Sequence, residues 1–201
     1  MPDQRPAPGW MGLPAQARAT SLVPGSGHVL TMCVPPDFGP YDPEGWAAGL
    51  ATALSAQRFL LLEQCTGLLD RGEPTAAALT VHLAPLAVTD GAGALEAALG
   101  LAQTLSFPVG HPRAVALTRL PAGPAAVLEE VVGLSLPGTG TARPVPVGIS
   151  QAHLPWVDGR AVLVTTLATP MPLHLTVYTA VLAGVLESMT VSASTNEGDD
   201  R

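Results

Sequence analysis

The last third of the chain constrains the fold most strongly, because two apolar runs meet there at the turn Leu-Pro-Ala-Gly-Pro of residues 120–124. Proline and glycine in such a turn reverse the chain, so the two runs are predicted to pair as a hairpin. A later run at 161–167 is apolar on both faces, which is typical of a central strand. The pattern predicts strands at 113–120, 125–134, 145–150 and 161–167, and a helix at 173–189.

The strand at 145–150 and the final helix also indicate where they lie in the fold. Pro146 cannot donate a backbone hydrogen bond, so the strand that contains it is predicted to be bulged or to lie at a sheet edge. The final helix has an apolar stripe with spacings of three and four residues, which is expected to lie on the sheet. That stripe consists of Leu175, Tyr178, Leu182, Val185 and Met189.

The first half of the chain contains both the two-residue alternation typical of strands and the three- or four-residue spacing typical of helices. Residues 29–34 and 75–83 read as strands, and in the second of these Leu79 and Val81 share one face. Asp42 and Pro43 are typical of a helix start, and apolar residues then recur every three or four positions up to Leu68. We therefore expect one long helix or two helices over 42–68, and another helix over 93–105.

Length and composition indicate one domain with a buried core. The chain has 201 residues, of which 47% are hydrophobic and only 4% are aromatic, so Leu, Val and Ala must fill that core. The expected core residues are Leu79, Val81, Val115, Leu117, Val147, Val162, Val164, Leu175, Leu182 and Val185. The predicted fold class is α+β, an antiparallel sheet covered by helices. We expect a disordered leader at 1–21, a single sandwich domain at 22–191 and an acidic disordered tail at 192–201.

Charge and cysteine content restrict the partners and the compartment. The net charge is −7 and the basic residues are nine scattered arginines without a lysine, which argues against nucleic acid as a partner. The absence of lysine, with abundant alanine, suggests a high-GC genome such as that of an actinobacterium. No apolar stretch is long enough to span a membrane, so a cytoplasmic location is expected. Cys33 and Cys65 are expected to be small apolar residues, and a disulfide between them stays open.

The order of short motifs resembles actinobacterial proteins of the PsbP-like α/β/α sandwich superfamily. The turn at 120–124, the Val-Pro-Val-Gly strand at 145–148, Ala168-Thr169-Pro170 and the early Pro-Pro-Asp-Phe at 35–38 are similar to motifs of those proteins. Gly148 and Ala168 depart from the usual proline and serine. The resemblance covers about residues 28–190. It implies a superfamily that includes a photosystem II subunit, a Ran-binding import factor and mycobacterial lipoproteins. Its members mostly bind proteins and share no catalytic residues.

No catalytic, metal or cofactor site is predicted. The five histidines lack the paired spacing of a helical metal site. Ser26 lies between glycines but lacks the full Gly-x-Ser-x-Gly pattern, and Glu129 and Glu130 fall on opposite faces of one strand.

The candidate site is therefore a surface rather than a reaction centre. We predict that His153, Leu154, Pro155 and Trp156 bind a protein partner, because an exposed aromatic ring in a stiff hairpin suits such a contact. A tryptophan ring folded onto its own hairpin is the alternative. The predicted function is a non-enzymatic binding or adaptor protein. A small-molecule or lipid carrier with an apolar pocket between sheet and helix stays open as the alternative, and an unrecognised hydrolase comes third.

Overall fold

The computed structural model describes residues 16–23, 26–40, 59–69, 72–85, 93, 96, 114–134, 144–157 and 159–193. The predicted helix over 93–105 and the first part of the predicted helical region, 42–58, lie outside these residues apart from Gly93 and Glu96. In chain order the elements are β1 (Gln16–Val23), β2 (His28–Val34), β3 (Gly39–Pro40), β4 (Phe59–Leu68), β5 (Pro74–Pro85), β6 (Ala114–Leu120), β7 (Gly123–Leu134), β8 (Val145–Pro155), β9 (Ala161–Thr169), a 3-10 turn (Pro172–His174), α1 (Leu175–Ser188) and β10 (Thr190–Ala193).

A seven-stranded sheet forms the centre of the described structure. Its strand order is β3-β4-β5-β9-β8-β7-β6, and every neighbouring pair is antiparallel. The predicted hairpin is confirmed, since Leu120 pairs with Gly123 across a two-residue turn. The prediction that the apolar run at 161–167 is central is also confirmed, because β9 lies between β5 and β8. This part of the chain is an α+β sandwich.

Alternation along the strands divides the sheet into two faces. The helix face carries Leu79 and Leu167, which pair across β5 and β9, and α1 packs on this face together with a smaller sheet of order β1-β2-β10. The core cluster on this side includes Tyr178, Leu182 and Val185 of α1. The opposite face, here called the second face, carries Thr80, His82 and their cross-strand neighbours, which are also buried.

The residues at 59–68 form a strand, so the prediction that the helical region extends to Leu68 is wrong. The spacing of Leu61, Cys65 and Leu68 suits a helix, but the same segment places Leu61 and Cys65 opposite Val81 and Ala77 of β5. An apolar run of this length is compatible with the periodicity of a helix and with that of a strand. The nine residue pairs that it forms with β5 stabilise the strand.

The strand that contains Pro146 is neither bulged nor at an edge, which corrects the prediction. β8 lies between β7 and β9, and its register with β7 is regular. The ladder with β9 begins only at Gly148, so Pro146 lies beyond it and its missing N–H removes no bond to β9.

Three of the ten expected core residues are not fully buried. Leu117 is 57% exposed because β6 is an edge strand, and Val115 and Leu175 are half-buried. The seven confirmed core residues are Leu79, Val81, Val147, Val162, Val164, Leu182 and Val185.

The ordered structure reaches further towards both ends than the sequence predicts. Residues 16–21, assigned to a disordered leader, belong to β1 and pair with β2, and Val23 at the end of β1 is fully buried. β10 likewise extends to Ala193 and pairs with β2 on its other side. The antiparallel pairing with β2 makes strands of these two segments, which their short polar sequences did not indicate.

Deleting residues 1–21 should therefore lower the melting temperature. The deletion removes residues 16–21 of β1 and exposes one edge of β2. We expect a drop of more than about 5 °C, on the order of 1 kcal/mol for a domain of this size. A matched deletion of residues 1–15 leaves β1 in place and should change the melting temperature much less. Equal melting temperatures for both variants and the full chain would show that β1 contributes nothing to stability.

Candidate functional site

The four residues predicted to bind a partner are mostly buried. His153 is fully buried, Leu154 is buried on the helix face, Pro155 is half-buried, and Trp156 is only 4% exposed. The ring of Trp156 is therefore not exposed, and the alternative of a folded ring is the one that the structure supports. His153, Leu154 and Pro155 lie at the end of the interior strand β8, and Trp156 follows directly after it. Partner binding through these four residues stays a prediction, although the exposed ring from which it was argued is buried.

Trp156 is held in the core by its neighbours. Its ring meets the ring of His28 edge-on, with centroids 6.1 Å apart, and its backbone N–H donates to the carbonyl of Ala161. The turn after it places Gly159 at φ 68°, a left-handed conformation that glycine adopts readily. The tight turn folds the tryptophan back onto the sheet, and the sequence alone could not distinguish this from an exposed loop.

A row of buried polar side chains crosses the second face. His82 of β5 and His153 of β8 flank Val164 of β9, with which each pairs. The Nε2 of His153 lies 2.8 Å from Gln151 Oε1, and Gln151 Nε2 donates to Thr166 Oγ1 at 2.6 Å. The Nδ1 atoms of both histidines are buried without a hydrogen-bond partner.

Burial determines the charge of these two imidazoles. Burial lowers the pKa of His82 to about 4 and that of His153 to about 4, and for His153 the nearby charge of His82 acts in the same direction. Both rings are therefore neutral at pH 7 and offer no cation to a ligand.

A second polar cluster joins the start of β5 to α1. Thr75 Oγ1 lies 3.0 Å from His174 Nδ1 and 2.7 Å from the hydroxyl of Tyr178, and His174 Nε2 lies 3.6 Å from a carboxylate oxygen of Glu73. The sulfur of Cys65 lies 3.6 Å from the same Tyr178 hydroxyl. Burial raises the pKa of both Cys65 and Tyr178, so neither group ionises near neutral pH.

This cluster contains a hydroxyl–imidazole pair that the sequence analysis missed. Thr75 and His174 are 99 residues apart, so no local motif could reveal them. The order Thr75–His174–Glu73 resembles that of a nucleophile, base and acid. However, Thr75 is buried with its hydroxyl between His174 and Tyr178, and the 3.6 Å separation of His174 from Glu73 exceeds a hydrogen bond. The arrangement fits a structural tie better than a reaction centre.

A groove of about 150 Å³ lies between α1 and the strands β6, β7 and β8 on the helix face. Its exposed rim includes Thr118 and Glu187, so it opens to solvent. Ser150 and Thr179 also line the groove, and their hydroxyl oxygens are buried without a hydrogen-bond partner. The apolar walls are formed by Leu120, Val127, Leu182, Ala183 and Leu186.

The two edges of the large sheet differ in their ability to accept another strand. β3 has two residues and ends in Pro40, which gives a partner little to pair with. β6 has seven residues and contains no proline, and its residues 116–119 are all exposed. Since neighbouring residues of a strand point to opposite faces, exposure of the whole run shows that both faces of β6 are uncovered, and among the described strands none pairs with its outer edge.

Other kinds of site find little support in the described parts of the chain. Within those ranges, no three His, Cys, Asp or Glu side chains cluster closely enough to hold a metal ion. Cys33 and Cys65 are free thiols. No helix of the described structure combines the length and apolar character needed to cross a membrane.

Comparison with known proteins gives one distant similarity. No protein-family model matches the sequence, and no curated protein matches it. Among solved structures, the chain is similar to the Ran-binding protein Mog1p of Saccharomyces cerevisiae, with 14% sequence identity and a TM-score of 0.49. The similarity covers 90% of this chain and 97% of that chain. It is too distant to transfer a residue role or a function.

Proposed function

We propose that this protein is a non-enzymatic binding protein that holds a protein partner by adding one of the partner's strands to the open edge of β6. The observation that carries the proposal is the exposure of residues 116–119 in a seven-residue edge strand. An added strand pairs with the free N–H and C=O groups of such an edge, and neighbouring side chains supply the selectivity.

The composition of β6 supports this use. Proteins usually protect a long edge strand with proline, lysine or a bulge, since an open edge invites aggregation. β6 pairs with β7 in regular register and carries only Arg119 as a charged residue. Leu117, which is 57% exposed, adds an apolar contact beside the free backbone groups. These features favour a partner that covers the edge in the functional state.

The proposal extends to the fold family, the compartment and the origin of the protein. We assign the fold to the PsbP-like sandwich type on the order of the sequence motifs, and the cytoplasm is the proposed location. The free thiols of Cys33 and Cys65 suit a reducing compartment. The actinobacterial origin stays a prediction from composition and the same motifs. The alternative function, a carrier, gains support only in its small-molecule form, because an engineered cavity of about 150 Å³ holds benzene rather than a lipid chain.

The edge can be tested with a charge-matched pair of double variants. Ala116→Lys with Leu117→Lys places one ammonium on each face of β6, and lysines on an edge strand disfavour the addition of another strand. Val157→Lys with Leu173→Lys makes the same change in charge at exposed apolar positions away from this edge. Affinity purification from the native host, followed by mass spectrometry, should recover the partner with the full chain and with the second variant. Recovery with the β6 variant should fall about tenfold or more.

Hydrogen exchange on the purified complex supplies the structural readout. The amides of β6 that face away from β7 should exchange fast in the free protein and slowly in the complex. Both double variants should melt like the unmodified chain, because all four positions are exposed. A partner that is retained by the β6 variant, or that leaves exchange of β6 unchanged, would disprove strand addition.

A further inference from the structure

We infer that the groove between α1 and the β6–β7 hairpin is a binding site for a small, elongated organic amine that carries a hydroxyl group at the end opposite its nitrogen. This site is separate from the backbone edge of β6, so it goes beyond the proposed function. The chemistry of the ligand follows from the two ends of the groove and from the walls between them.

The inner end of the groove lacks hydrogen-bond partners. Ser150 is a fully buried residue of β8, and its hydroxyl oxygen has no partner. The hydroxyl oxygen of Thr179 on α1 is buried and unpartnered in the same way, and both residues line the groove. A buried hydroxyl without a hydrogen bond is costly, so a ligand that supplies one gains affinity at this end. A ligand hydroxyl can donate to one oxygen and accept from the other.

The outer end of the groove carries a negative charge. Glu187 lines the groove and is exposed, and it lies eight residues after Thr179 on the same helix. Eight residues of α-helix correspond to about 12 Å along the axis. A ligand that extends from the hydroxyls towards Glu187 therefore places its far end beside a carboxylate, which attracts an ammonium group and repels a carboxylate.

The middle of the groove determines the size and polarity of the ligand body. Val127, Leu182 and Leu186 form apolar walls between the two ends. The volume of about 150 Å³ accommodates one aromatic ring, and the open rim lets a short tail continue to Glu187. A phenol ring with a short aminoalkyl tail satisfies all three parts of the groove.

Four commercial probes of nearly equal size separate these contributions. Tyramine has both polar ends, phenethylamine lacks the hydroxyl, 4-ethylphenol lacks the amine, and 3-(4-hydroxyphenyl)propionate carries an acid in its place. Ligand-observed NMR titration should give tyramine a Kd on the order of 1 mM, as expected for about ten non-hydrogen atoms. Loss of the hydroxyl should weaken binding roughly three- to tenfold. Loss of the amine should weaken it roughly two- to fivefold, and the acid should bind weakest.

Variants of the protein assign each effect to a residue. Ser150→Ala should remove the advantage of tyramine over phenethylamine, and Glu187→Gln should remove its advantage over 4-ethylphenol. Glu96→Gln makes the same charge change at an exposed position that does not line the groove and should leave the probe order unchanged. These comparisons use ratios between probes, so a small change in stability does not affect them.

A blocking variant tests the location independently. Ala183→Phe fills the groove from the exposed side of α1, and Gly184→Phe places the same ring at the next position, which is exposed and has open space around its Cβ. Tyramine binding should be lost in the first variant and kept in the second. The inference is overturned if no probe binds at about ten times the expected Kd, if the four probes bind equally, or if Ala183→Phe still binds tyramine.

Discussion

Acidification from pH 7 to pH 4 should destabilise the folded protein by about 3 kcal/mol for each of the two buried histidines on the second face. Burial lowers the pKa of His82 and of His153 to about 4, whereas an unfolded chain restores the ordinary value of 6.5. Between these two pH values the unfolded state binds more protons than the folded state. The stabilisation is therefore complete above about pH 6.5, is lost progressively as the pH falls, and levels off below about pH 4.

The measurement is the free energy of unfolding by urea at several pH values. His82→Gln and His153→Gln each remove one titrating group, so each should flatten the pH dependence by about half. Val164→Ala serves as the control, because it disturbs the same row between the two histidines without removing a titratable group. That variant should be less stable at every pH and keep the slope of the unmodified chain. An unchanged slope in both histidine variants would show that these rings are not buried as neutral groups.

Replacing Leu182 by alanine should cost about 2–5 kcal/mol of unfolding free energy, the usual range for a buried leucine. Leu182 is 1% exposed and belongs to the core cluster in which α1 packs on the sheet. The matched variant Leu117→Ala removes the same atoms from a residue that is 57% exposed, and it should cost less than about 0.5 kcal/mol.

Chemical denaturation measures the free energy of unfolding of both variants. The slope of this free energy against denaturant concentration should be the same as for the unmodified chain. A loss below about 0.5 kcal/mol for Leu182→Ala would place α1 outside the core and contradict the architecture. A large loss for Leu117→Ala would instead mean that β6 is covered, which would also remove the open edge on which the proposed function depends.

Those elements whose signals are local could be predicted from the sequence. The Pro121-Ala122 turn joins β6 to β7, the alternation at 75–83 predicts the faces of β5, and the run apolar on both faces marks β9 as central. The three- and four-residue spacing in α1 correctly predicted the buried residues Tyr178, Leu182 and Val185. In each case neighbours along the chain carry the information, because turn geometry and side-chain periodicity depend on sequence distance.

The order of the strands in the sheet, and the residues that meet across them, became apparent only in the three-dimensional structure. Residues 59–68 form a strand because they pair with β5. Pro146 is tolerated in an interior strand because the pairing of β8 with β9 begins only at Gly148. Leu117 is exposed because β6 lies at the edge of the sheet. Ser150 of β8 and Thr179 of α1 line the same groove, and Thr75 lies within hydrogen-bond distance of His174. These outcomes depend on hydrogen bonds and packing between residues far apart in the chain, for which a single sequence carries no periodic signal.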